Sequence, residues 1–328
     1  MTMNKLVFIL MGIFILFCAA NCKDPKPVDP TPASPSVKMR QISMGAMTNN
    51  QHFYSLLKDT IIATRNRQNW DLGFKNTTEE KVIMLNWSKL MKVALTNESN
   101  FDSVHSSNGL TFDFEPLPFP SADSAIIKLN AFPSKVYVID RDNLGKDYFK
   151  IQVMSVDDNS HSVRIAKLDG SKDTTISVSP DVNSIFSYIN FDGYEEVLVE
   201  PVTSDWEFCL SVYSTLVSQN NSTVLYPVVA VISNNVTVKE IAIDSLRTFN
   251  NITLTNSENL NYTSYQLAIG GFNWKGVSFS GITPKIEVYA NINYVIRFIN
   301  GETYKLHFTD YVNDANESGN PLLEFQKL

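Results

Sequence analysis

The chain has 328 residues, with 27 basic and 34 acidic side chains for a net charge of −7, and 44% of its residues are hydrophobic. An acidic balance without a basic cluster excludes a nucleic-acid binder, because phosphate recognition needs concentrated Lys and Arg. Three cysteines, of which Cys18 and Cys22 sit near the start and Cys209 stands alone, exclude a disulfide framework.

The first stretch carries Lys5 and then an uninterrupted apolar run from Leu6 to Phe17. Charge followed by a run too short to span a bilayer is the order of an export signal. The run ends in Ala19-Ala20-Asn21-Cys22. Small residues before a cysteine resemble the lipobox of bacterial lipoproteins, although Asn21 departs from the usual small residue. On that resemblance residues 1–21 are a lipoprotein signal peptide and Cys22 is the lipidated N-terminus; the alternative is an ordinary cleaved signal that releases the protein. Residues 22–38 are rich in proline, which holds neither helix nor interior strand, and read as an extended stalk. The folded part is therefore expected to meet the membrane only through its anchor.

From residue 39 onward the pattern predicts strands. An aromatic run, Phe53 to Leu57, turns at Lys58-Asp59-Thr60 into Ile61-Ile62 and leads to Asn69-Trp70-Asp71-Leu72-Gly73-Phe74. Alternation puts Trp70, Leu72 and Phe74 on one face, with Asp71 on the other. A short helix competes over Ser88 to Leu95, and a helical turn over Ser121 to Leu129. Strands follow at Val136 to Ile139, Phe149 to Val153 and Val163 to Ile165, and turn-rich segments at 168–173 and 179–181 predict a boundary. The pattern then repeats. Ile185 to Phe191, a turn at Asp192-Gly193-Tyr194, and Val197 to Val199 lead to Asp205-Trp206-Glu207-Phe208-Cys209-Leu210. Cys209 is expected to pack opposite Trp206 and Phe208. Strands at Thr223 to Ile232, Val236 to Ile243, Ile286 to Tyr289, Tyr294 to Phe298 and Lys305 to Phe308 complete the series. Tyr137-Val138-Ile139 with Tyr148-Phe149-Lys150-Ile151 is echoed by Tyr294-Val295-Ile296 with Thr303-Tyr304-Lys305-Leu306. These echoes predict an all-β chain of two tandem antiparallel sandwich or barrel-like units, residues 39–170 and 180–328.

No catalytic or metal constellation emerges. The histidines His52, His105, His161 and His307 show no ligand spacing, and there is no CxxC. His307 alternates in a strand and is expected to face solvent, whereas His105 lies in a loop-like Ser-Val-His-Ser-Ser-Asn-Gly context. Asp140 to Gly145 and Asp314 to Gly319 fail as calcium loops, because Leu144 and Phe325 stand where oxygen ligands belong. Asp113 and Glu115 lie two apart without an apolar pocket in the pattern, so an enzyme is not expected.

The hairpin entering Asn69–Phe74, the ending Tyr294 to Tyr311, and the last strand Leu322 to Gln326 resemble the HmuY family of bacterial surface lipoproteins. The resemblance implies an all-β lipoprotein at the outer membrane or cell surface that binds heme for iron acquisition. The family's iron ligands are His or Met side chains between the tryptophan and the closing hairpin. In the first copy these are Met84, Met91 and His105; the second copy has neither His nor Met between Trp206 and Tyr294. The alternative is a loop surface for a glycan or protein partner built from Tyr262, Tyr265 and Trp274, where alternation of Phe272 with Trp274 also fits a buried strand.

Overall fold

A computed structural model describes residues 35–45, 48–76, 81–114, 126–128, 134–156, 160–219, 222–242, 248–264, 271, 273–280 and 283–328. Cys22 and Tyr265 lie outside them. The strands are β1 (Lys38–Gln41), β2 (Asn50–Ser55), β3 (Thr60–Asn66), β4 (Leu72–Lys75), β5 (Val82–Leu85), β6 (Lys92–Leu95), β7 (Asp113–Phe114) and β8 (Ile127–Lys128). They continue as β9 (Val136–Asp140), β10 (Tyr148–Val156), β11 (His161–Lys167), β12 (Thr174–Val178), β13 (Phe186–Asn190), β14 (Glu195–Val197) and β15 (Phe208–Gln219). The series ends with β16 (Ser222–Ser233), β17 (Val236–Ala242), β18 (Lys275–Ser280), β19 (Thr283–Val288), β20 (Ile292–Phe298), β21 (Thr303–Val312) and β22 (Ser318–Lys327). The chain is all-β, with antiparallel sheets and no closed barrel, so the sandwich expectation holds.

Four sheets stack as layers. An outer sheet β1-β22-β21-β20-β17 packs on β16-β15-β2-β3 through Tyr54, Phe208, Leu210, Val231, Ile296, Leu306 and their neighbours. A second outer sheet, β12-β11-β10-β9-β6-β7, packs on β14-β13-β4-β5-β8 through Leu72, Phe74, Ile83, Ile139, Phe149 and Ile165. The two inner sheets then bury a third core between them, where Phe53, Trp70, Met84, Phe186, Tyr188, Trp206, Cys209 and Tyr213 meet. Strands with apolar side chains on both faces account for the solid hydrophobic runs over β15 and β16.

The expected division at 170–180 does not separate the sheets. β13, from the hairpin that precedes Trp206, pairs with β4 beside Trp70, matching Tyr188 with Gly73. β2, from the hairpin that precedes Trp70, pairs with β15 beside Trp206, matching Tyr54 with Phe208. Each hairpin thus completes the other tryptophan's sheet. One sandwich is contiguous, β4 to β14, and the other is assembled from β1–β3, β15–β17 and β20–β22, with β18–β19 as a separate two-stranded sheet. Residues Val37–Leu328 form one compact unit.

The segments around the two tryptophans make matching hydrogen bonds. Asn86 donates its side-chain N–H to Trp70 O at 2.7 Å and its backbone N–H to Asp71 O at 2.9 Å. Asn234 does the same to Trp206 O at 3.0 Å and Glu207 O at 2.9 Å. The Asp71 carboxylate accepts Phe191 N at 2.7 Å, and that of Glu207 accepts Leu56 N at 2.8 Å. Lys150 Nζ donates to Phe101 O and Val104 O, at 2.9 and 2.8 Å; Lys305 Nζ donates to Phe249 O and Ile252 O, at 2.7 and 3.1 Å. A buried ammonium satisfied by carbonyls is costly to build once and is here built twice in one register.

Three local expectations change. Trp70 and Trp206 enter the central core while Leu72, Phe74 and Phe208 enter the outer ones, because the strands begin after the tryptophans and period-two counting does not extend back to them. Cys209 consequently lies on the tryptophan side, fully buried. The stretch from Ser88 to Leu95 forms a turn with Leu90 at φ 58°, then strand β6, rather than a helix. Ile127–Lys128 is strand, and the rest of the expected helical turn at 121–129 lies largely outside the described residues.

Candidate functional site

The ligand candidates of the first copy are not brought together. Met84 is fully buried in the central core and Met91, at 3% exposure, lies in one of the outer cores, so neither thioether reaches the surface. His105 is exposed. Its position comes from the segment before it. Phe101–Ser103 forms one short helical turn capped by the Asn100 side chain, and Lys150 ties down the carbonyls of Phe101 and Val104. His105 therefore leaves a rigid support and lies against the turn between β11 and β12, where a Cβ on Gly170 (φ 88°) would stand 3.6 Å from the imidazole Cε1.

There it borders a cleft of about 480 Å³ lined by His105, Lys146, Tyr148, Lys167, Leu168, Lys172, Asp147, Asp169 and Ser171. Lys167 is bonded to Asp147 and lies 3.9 Å from the Phe149 ring centre. The hydroxyl and backbone N–H of Ser171 hold the Asp169 carboxyl below its usual pKa. Lys146 and Lys172 have no ion-pair partner among the described residues. The arrangement offers one imidazole donor, two unpaired ammonium groups, and an apolar edge at Tyr148 and Leu168. The lysines and Tyr148 escape sequence reasoning because the segment carrying Lys172 reads as a boundary; the hairpin β10–β11 brings it back beside residues 146–148.

Asp147 also borders a neighbouring cleft of about 310 Å³ with Gln68, Lys89, Arg141, Asp142 and Asp192. Two of its lining residues, Lys89 and Arg141, bind the acid of the Asn-Trp-Asp motif. Asp71, without exposed surface, binds Lys89 Nζ at 2.7 Å and Arg141 Nε and Nη2 at 2.7 and 3.0 Å. Arg141 also holds both oxygens of Asp192, which lowers the Asp192 pKa, while burial lowers that of Lys89. These charges neutralise one another and are structural.

The other histidines are occupied. His52 is buried and bonds Thr64 Oγ1 and Ser43 O. His161 is buried beside Phe74. His307 does not face solvent freely as expected: it pairs with Glu324 at 2.8 Å and stacks on Phe249 at 4.2 Å, because the 249–262 segment covers that face of the outer sheet. Of the loop-surface candidates, Trp274 is 1% exposed and stacks on Phe308 at 4.2 Å, so it belongs to the core. Tyr262 is half-buried under Arg297, 4.1 Å away, and donates its hydroxyl to Ser257 O. No group of three or more His, Cys, Asp or Glu side chains placed to hold a metal ion occurs among the described residues. No described helix is long and apolar enough to cross a membrane.

No protein-family profile matches the chain, and no curated protein does. Solved structures similar to it include apo PinO of Porphyromonas gingivitis, at 8% identity and TM-score 0.32, over 89% of this chain and 98% of that one. A chain described as an HmuY-like heme-binding protein, from Bacteroides vulgatus, matches at 9% identity and TM-score 0.24 over 91% of this chain and 95% of its own. The apo HmuY analog of Tannerella forsythia matches at 12% identity and TM-score 0.25, over 89% and 96%. The chain is thus similar to HmuY-like heme-binding proteins and their analogs, at a level that carries no residue's role across.

Proposed function

We propose that this protein is a non-enzymatic surface lipoprotein, anchored through Cys22 at the outer membrane, that binds heme for iron acquisition in the cleft beside His105. The observation that carries the reading is the exposed imidazole on a cleft of about 480 Å³ that also holds Lys146 and Lys172, which have no acidic partner among the described residues. The volume falls in the range of small-ligand sites, roughly 300–1,000 Å³. Heme takes an axial donor such as an imidazole nitrogen, cations for its carboxylates and an apolar edge. His105 would supply the nitrogen, Lys146 and Lys172 would meet the carboxylates, and Tyr148 and Leu168 would line the macrocycle. Lys150, by fixing the Phe101 and Val104 carbonyls, holds the His105 backbone in place before any ligand arrives.

The test is a hemin absorbance titration of residues 37–328, the compact unit. A saturable Soret shift that is lost in His105→Ala and retained in Met84→Leu and Met91→Leu is the expected result. A full shift in His105→Ala, or none in the parent, refutes the assignment.

A further inference from the structure

A second cleft, of about 510 Å³, lies in the other sandwich, away from His105. It opens beside Ser264, next to Thr263, whose N–H and C=O pair with those of Val238 at 2.8 Å. Its described lining is Ser233, Asn235, Val236, Thr237 and Ser264, with Arg297, Phe298 and Ile299 from the end of β20. Arg297 is the single charged residue among them. Three other described arginines spend their guanidinium forks on acids, Arg40 on Asp59, Arg141 on Asp71 and Asp192, and Arg164 on Asp173 and Asp102, while Arg65 and Arg67 donate to backbone carbonyls. Arg297 meets no carboxylate among the described residues. It stacks on Tyr262 at 4.1 Å and makes one long bond, 3.4 Å, to Glu258 O. Stacking fixes the plane of the fork while leaving N–H groups available, which suits bidentate recognition of a carboxylate.

Among the described lining residues one cation is present rather than a cluster, which matches a single negative charge rather than a polyanion. Hydroxyl and amide groups surround it, and Ile299, 85% exposed at the hairpin tip, stands beside it as an apolar wall. From these features we infer that the cleft is a second binding site, for a monocarboxylated saccharide: the carboxylate on Arg297, hydroxyls toward Thr237, Ser264 and Asn235, and a C–H face against Ile299. This site is independent of the heme reading.

The experiment is calorimetric titration of the purified protein with sodium glucuronate at low ionic strength, with glucose and hexanoate as controls. Saturable glucuronate binding, weakened at least about tenfold in Arg297→Gln and little changed in His105→Ala, is expected from the loss of a charge-assisted pair. Thermal unfolding of Arg297→Gln, compared with the parent, establishes that the variant is folded. Absence of saturable binding by the parent, equal affinity in a folded Arg297→Gln, or equal affinity for glucose or hexanoate overturns the inference.

Discussion

Arg141 reaches Asp71 with two nitrogens, at 2.7 and 3.0 Å, and so joins the end of β9 to the tryptophan motif at a carboxylate that has no exposed surface. The contact does more than pair charges. Asp71 also accepts the N–H of Phe191 at 2.7 Å, so one side chain links β4, the outer sheet and the exchanged hairpin.

Removing that carboxylate is expected to destabilise strongly. Asp71→Ala leaves Lys89 and Arg141 partly buried with only the more exposed Asp192 and Asp147 beside Arg141; breaking one side of a buried ion pair costs about 3 to 5 kcal/mol. Urea unfolding checks it, and a loss under 1 kcal/mol would show the network to be solvated in solution.

Trp70→Ala and Trp206→Ala should each cost about 3 to 5 kcal/mol, the usual range for a large buried aromatic. Both side chains sit in the core shared by the inner sheets, with Trp70 edge-on to Trp87 and Tyr188 and Trp206 edge-on to Phe53. Calorimetry is therefore expected to show one transition lowered by either change. Two transitions, each sensitive to one tryptophan, would contradict the shared core.

Gly73→Ala tests the exchanged pairing. A Cβ there would lie 3.0 Å from Met84 Cε and 3.2 and 3.3 Å from ring atoms of Tyr188 and Phe186. Overpacking of this kind costs about 1 to 3 kcal/mol. Because β13 supplies two of these three neighbours, hydrogen exchange should speed up in residues 186–190 as well as in β4; unchanged protection of β13 would refute the contact.

Glu200 gives a pH dependence with a definite sign. It is 2% exposed, and burial pushes its pKa from 4.5 up to about 8 despite hydrogen bonds from Phe186 N and Tyr188 Oη. Between those values the folded state keeps a proton that the unfolded chain releases. Stability must then fall as pH rises through that window, by at most about 1.4 kcal/mol per pH unit from this group. Glu200→Gln is expected to flatten the profile, measured by unfolding at pH 5, 6.5 and 8; a slope equal to the parent's would exclude Glu200 as its source.

Cys22→Ala should move the protein from membranes to the soluble fraction, since stable anchoring takes more than one acyl chain. Fractionation with membranes as in the parent would refute lipidation there.

The candidate site was only partly legible. His105 could be singled out because His is a rare, chemically distinct residue in a loop context, but Met84 and Met91 carried the same signal and turn out to fill cores. Side-chain chemistry is local information; exposure is not. The lysines of the cleft carry no local signal, and it is the β10–β11 hairpin that brings them beside the imidazole.

By itself the sequence determined the all-β class and most strand positions, because alternation and turn residues act over a few neighbouring residues. Only the tertiary structure decided which hairpin completes which sheet. Two aromatic hairpins of similar pattern could each have joined either tryptophan strand, and loop-closure entropy separates such options weakly, since it grows only with the logarithm of chain length. The choice falls to contacts that exist only after folding: Tyr188 against the bare Cα of Gly73, the Phe191 N–H on Asp71, and the Leu56 N–H on Glu207.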